Sequence, residues 1–302
     1  MSEHITHTAV MDDGARLAMD SPDICADFKA VLRDRIAICR YTAMTRSGDM
    51  FTVRLLRDLR NHWPSRRAGD LSEEKLAFVL GWRCHLAADR TFKPVYRQLQ
   101  PEYYLKGDDE RGGASDVSVY HDVVVFREVY DGGRAEPFRP GALDYRMESH
   151  SAFRTLPAGA MERLVLAFWQ RELLRIQTRR DAAHFQSNRI HLIRYAQAFH
   201  SPDPDKLRRY IFEPNFYNPK DPIIVLARSI QRGSPRRDID LKQALAAAPR
   251  QSQYAQALER AYEYLHAASE YFLGRIDERE LEARCDVGKP HVPPELDPRR
   301  KS

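Results

Sequence analysis

The chain has 302 residues, 43% of them hydrophobic and 30% charged, enough apolar material for a core and too much for whole-chain disorder. Lys and Arg total 48 against 43 Asp and Glu, so the net charge of +5 permits an anionic partner without naming one. Fourteen Gly and 18 Pro exclude collagen-like and low-complexity classes. No run approaches the ~18 apolar residues of a membrane-spanning helix, and the mean hydropathy is −0.59. The amino terminus lacks a basic segment leading into an apolar one, so no signal peptide is expected. Cys25, Cys39, Cys84 and Cys285 are far apart and form no Cys-x-x-Cys pair, which argues against a zinc knuckle or a disulfide framework. A reduced, cytoplasmic protein is the simplest expectation.

In chain order, residues 1–21 are polar, aperiodic and end in Ser21-Pro22, which predicts a flexible leader. Helical period begins near Ile24, with Phe28, Val31, Leu32 and Ile36 mostly three or four apart. A second helix fits Met50–Asn61 and stops at His62-Trp63-Pro64. Ser72, followed by Glu73 and Glu74, predicts the start of a helix running to Phe92, before Lys93-Pro94. Its stretch from Leu76 to Trp82 is nearly apolar all round, which means burial. Residues 106–115 read as a polar loop. Val117–Tyr130 suits a strand by its valines, but no partner strand is evident elsewhere, so a helix capped by Ser115 or Asp116 is expected.

Further helices are expected from Pro157 through Arg179, over Asp181–Phe199, from Asp221-Pro222 through Ile230, and as one or two helices over Leu241–Ala283. No repeat of fixed period appears. The expected class is all-α: leader 1–21, one multi-helix domain over 22–285, and a polar, Pro-rich tail over 286–302.

The most informative stretch is Phe78–Tyr96, FVLGWRCHLAADRTFKPVY. His85 and Asp89 stand four apart, so on a helix they share one face and can ligate one metal ion. They follow a buried apolar run, where a lone carboxylate is costly; a metal, Arg90, Lys93 or His85 must compensate Asp89. The same spacing also fits an ordinary hydrogen-bonded His–Asp pair inside a bundle.

This stretch resembles the signature helix of the zinc-dependent phospholipases C, which share a helical superfamily with the single-strand-specific zinc nucleases. The Leu-Gly-Tyr-x-x-His-x-x-x-Asp-x-x-x-His-Pro pattern of many bacterial members is matched by Leu80, Gly81, His85, Asp89 and Pro94, with Trp82 for the aromatic. Tyr41–Phe51 resembles the segment before the family's next helix, and His121 falls where a later ligand helix carries His and Glu. The resemblance implies an all-α fold, zinc or another divalent metal, and hydrolysis of phosphate esters. The ligands it implies are His85, Asp89 and His121, with Asp122 or Glu128 as a further carboxylate; Asp89 and Lys93 would then take part in the chemistry, Lys93 at the substrate phosphate.

The chain also departs from the pattern. Lys93 stands in place of a metal-binding His, the upstream segment has Thr42 and Thr45 but no His, and Val125 follows His121 where a Glu is usual. The secreted enzymes of the family ligate metal through a mature amino terminus, which has no counterpart expected here. These departures argue against a three-metal site. They support a second reading, a non-catalytic helical module for structure or a protein partner, in which the Lys93 ammonium takes the place of a lost metal.

Other features weigh less. His121-Asp122 is the dipeptide of the HD phosphohydrolases, with His85 upstream, but adjacent helical residues point about 100° apart and the flanking valines fit poorly. His184 and His191, and His150 near Glu148, read as ordinary helix and loop histidines. There is no Gly-x-Ser-x-Gly elbow, no phosphate-cradling Gly loop, and Cys84 cannot share a helix face with His85. Short basic runs such as Arg232–Arg237 lack interleaved aromatics, so nucleic acid is compatible as a substrate but not demanded.

Overall fold

The computed structural model describes residues 4–43, 49–105, 115–131, 135 and 213–296. These form twelve α-helices and no strand, so the all-α class holds for the described residues. None of the described helices is long and apolar enough to cross a membrane. The predicted helices at 157–179 and 181–199, the loop at 106–114, Thr45, His150, His184 and His191 lie outside them.

The spine is α5 (Ser72–Leu99), whose residues from Leu76 to Phe92 are all buried, as an all-round apolar helix must be. It begins one step from the expected cap: Leu71 holds the cap position at φ 65°, and the Asp70 carboxylate accepts from the Ser72 amide. It also runs past Pro94, correcting the stop expected at Phe92. Proline removes one backbone donor, but continuing the helix buries Tyr96 completely, and that burial outweighs the lost bond.

Around α5 pack α1 (His4–Asp20), α2 (Ala26–Asp34), α3 (Ile36–Ala43), α4 (Asp49–His62) and the long α11 (Gln253–Phe272). The short α6 (Pro101–Leu105) follows α5, and α7 (Asp116–Glu128) lies against α1. Its start is capped by the Ser115 hydroxyl, which accepts from the Ser118 amide, so the ambiguous Val117–Tyr130 stretch is helical as far as Glu128. The carboxy-terminal half supplies α8 (Glu213–Phe216), α9 (Pro222–Gln231), α10 (Leu241–Ala247), α11 and α12 (Glu278–Arg284). Leu241–Ala283 is thus three helices rather than one or two.

Two terminal expectations are corrected. Residues 4–20 are no leader but α1, packed among α3, α5, α7, α9 and α11. Ile5, Val10, Met11 and Leu17 are fully buried, and its two adjacent acids are neutralised from other helices. Asp12 accepts from Arg40 Nε at 2.6 Å and from the Tyr130 hydroxyl at 3.0 Å. Asp13 is held by Arg16, Arg228 and the Tyr254 hydroxyl. Residues 286–296, expected as a polar tail, instead cross α5 as a strap.

Candidate metal centre

Gly81, His85, Asp89 and Lys93 recur at four-residue intervals along α5 and so form one ladder on its surface. Gly81 sets the approach of the neighbouring helix: a Cβ there would lie 1.9 Å from Thr42 Oγ1 and 2.3 Å from the Cys39 carbonyl oxygen. Only glycine admits α3 at this distance. One turn further on, the last residue of α3 meets the ladder again, and the Ala43 carbonyl accepts from His85 Nδ1 at 2.8 Å.

That bond decides the histidine's chemistry. A carbonyl only accepts, so Nδ1 carries the proton and Nε2 faces inward, 3.1 Å from Asp89 Oδ2. There Nε2 either bears a second proton or presents a lone pair, and a lone pair beside a carboxylate calls for a cation between them. Both side chains are buried.

Helix α1 contributes His7, also buried, whose Nε2 lies 3.5 Å from Asp89 Oδ1 and whose ring stacks on His85 at 4.3 Å between centroids. The start of α1 is fixed by Asp122, whose carboxylate accepts from the amides of Ile5 and Thr6 at 2.9 and 2.7 Å. A negative side chain at a helix amino terminus meets both the free amides and the dipole. The placement of His7 thus depends on a residue more than a hundred positions away.

One ligand atom each from His7, His85 and Asp89 lies within 4.8 Å of the others, the one such group of three metal-binding side chains among the described residues. Ligand atoms about 2.0–2.1 Å from a tetrahedral zinc ion stand roughly 3.4 Å apart, so the two contacts to Asp89 already have the right scale. Two imidazoles and a carboxylate are a donor set suited to zinc, iron or manganese and leave coordination positions open.

Two cationic or polar groups close the outer side. Lys93 pairs with Asp89 Oδ2, and His291, from the strap, brings Nδ1 within 3.6 Å of the same oxygen and 3.3 Å of the lysine nitrogen. Burial works against a charged Asp89, but the Lys93 ammonium, His85 and the hydrogen bonds of His291 and His7 win, holding the carboxyl well below the usual carboxylate range.

Comparison with family models, curated proteins and solved structures finds no match. The case for function therefore rests on this geometry and on the sequence pattern.

Of the residues read from the sequence, His85, Asp89 and Lys93 come together. The other three do not join them. His121 is fully enclosed, stacked on Phe216 at 3.5 Å and hydrogen-bonded with the Tyr96 hydroxyl at 3.1 Å, and burial pushes its pKa well below the usual imidazole value. Asp122 is committed to the start of α1. Glu128 accepts from Arg127 at the end of α7. The His121-Asp122 dipeptide is thus split between a packing role and a capping role, which removes the basis for an HD-type centre. His7 and His291 carry no ligand signal in the sequence, because each lies in a terminal segment whose polar, aperiodic pattern predicts no fixed structure. The one local hint was the Ile5, Ala9, Val10 spacing around His7, a short apolar stripe.

Proposed function

We propose that this protein is a metal-dependent phosphoric ester hydrolase whose His7, His85 and Asp89 hold one divalent ion. The observation that carries this reading is the orientation of His85: Nδ1 is spent on the Ala43 carbonyl, and Nε2 converges with His7 Nε2 on the Asp89 carboxylate. A carbonyl-oriented imidazole of this kind is the usual support for a metal-ligating histidine. The phosphate-ester specificity rests on the resemblance of Leu80–Pro94 to the zinc-dependent phospholipase C signature.

A bound ion with open positions supplies polarisation of a phosphoryl oxygen and a water made acidic enough to attack. The residues of the chain orient and enclose: His7 and His85 present neutral nitrogens, Asp89 provides the counter-charge, and Lys93, released from Asp89, offers an ammonium to the substrate's phosphate. The test is hydrolysis of bis-p-nitrophenyl phosphate by protein loaded with zinc, manganese or iron, beside His85→Ala. Turnover that needs the metal and falls at least 100-fold in His85→Ala supports the reading; equal rates in both proteins overturn it.

A second reading has its own observation. The Lys93–Asp89 ion pair already balances the buried carboxylate without any metal, as a non-catalytic module for structure or partner binding would have it. On that account Lys93→Ala destabilises the fold and leaves metal content at zero. On the hydrolase account Lys93→Ala removes a competitor for Asp89 and tightens metal binding.

A further inference from the structure

Residues 286–296 are held to α5 by a set of contacts next to the centre. Arg90, the neighbour of Asp89, donates through Nη2 to the Asp286 carbonyl at 2.8 Å and to Asp49 Oδ2 at 2.7 Å. The Gly288 amide donates to the same Asp49 oxygen at 3.1 Å, and the Tyr264 hydroxyl to Asp286 Oδ2 at 2.9 Å. Asp286 and Gly288 both take positive φ, 54° and 77°, which turns the chain back across the helix. Pro290 precedes His291, and Pro293 and Pro294 follow it closely, so the backbone delivering this side chain has little freedom to lose.

His291 Nδ1 lies 3.3 Å from the Lys93 nitrogen and 3.6 Å from Asp89 Oδ2. Lys93 Nζ thus sits between one nitrogen and one oxygen, His291 Nδ1 and Asp89 Oδ2. These donors flank the place a divalent ion displacing the ammonium would take, and His291 itself stands outside the group of His7, His85 and Asp89, so its ligation would draw the strap inward.

We infer that the strap completes the metal centre, with His291 Nδ1 as its fourth protein ligand once the ion has displaced Lys93 from Asp89. This rests on the reading of His7, His85 and Asp89 as ligands and adds a prediction of its own. The ion then ties both ends of the described chain to α5, and metal binding is linked to docking of the strap. Four such protein ligands, three imidazoles and one carboxylate, would suit zinc, and His291, on a partly exposed strap, would be the one to yield its place to water or substrate.

The experiment is cobalt(II) titration of the untagged full chain, His291→Ala and His85→Ala, read by visible absorption and by competition with a chelator. Hydrogen exchange over 286–296 is followed with and without cobalt. His291 is partly exposed and lies outside the helical core, so its alanine variant is expected to keep the wild-type melting temperature. The expected result is a 10- to 100-fold loss of affinity and a changed spectrum in His291→Ala, with slower exchange of the strap on metal binding in wild type alone. Unchanged affinity and spectrum in His291→Ala, with binding abolished in His85→Ala, overturn the role of His291 and leave the three-ligand centre standing. No cobalt bound by the wild type overturns both.

Discussion

Arg83 lies on α5 two residues before His85, fully buried, and none of its three guanidinium nitrogens has a hydrogen-bond partner among the described residues. A buried charge without partners costs several kcal/mol, more than its aliphatic stem recovers by packing. Arg83→Met should therefore stabilise the protein by about 1–3 kcal/mol in urea denaturation. Loss of stability would show that the guanidinium has a counter-charge. His121 gives a prediction of opposite kind. Burial holds its folded-state pKa well below the unfolded value of about 6.5, so the neutral ring favours folding above that pH and the unfolded chain gains the proton first as pH falls. Stability from this residue is lost below about pH 6.5 at up to roughly 1.4 kcal/mol per pH unit. His121→Gln, which keeps a polar partner for Tyr96, should flatten the stability profile between pH 6.5 and 5. A profile parallel to wild type would contradict the assignment. Nothing in the sequence around His121 separates this packing role from a ligand's, because a histidine on a valine-rich helix looks the same in both.

At the scale of elements, the α3–α5 crossing is the decisive joint. Gly81 brings the helices into contact and the Ala43 carbonyl then orients His85 one turn along, so packing and chemistry share one face. Gly81→Ala has to push the helices apart. It should cost at least about 2 kcal/mol in chemical denaturation and weaken metal binding at the same time. A mild loss with unchanged metal affinity would separate the crossing from the site. This joint was half legible: the four-residue ladder of Gly81, His85, Asp89 and Lys93 is plain in the sequence, while its partner α3 carries no motif that announces it. The apolar run of Leu76–Trp82 predicted burial correctly, because a helix apolar on every side has no other stable place. The same logic failed for α1. Asp12 and Asp13 suit a polar leader, yet Arg40, Arg228, Tyr130 and Tyr254 reach them from four other parts of the chain, and such partners leave no local trace.

Across the whole molecule, the centre gathers residues 85, 89 and 93 of α5 with residue 7 of α1 and residue 291 of the strap. Periodicity identifies a pair on a single helix, and it supplied His85 with Asp89. It cannot supply His7 and His291, whose relation to that pair exists only after α1 and the strap have docked. Asp122 shows the same limit from the other side: chemically a ligand type and adjacent to a histidine, it works as the remote cap of α1. The central claim is that these docked segments build a metal centre, and His7 is its most exacting test. Elemental analysis of untagged wild type beside His7→Ala and His85→Ala measures it directly. Near-stoichiometric zinc, manganese or iron in the wild type, lost in both folded variants, is the expected result. No metal in a folded and stable wild type, or equal metal in His7→Ala, would contradict it.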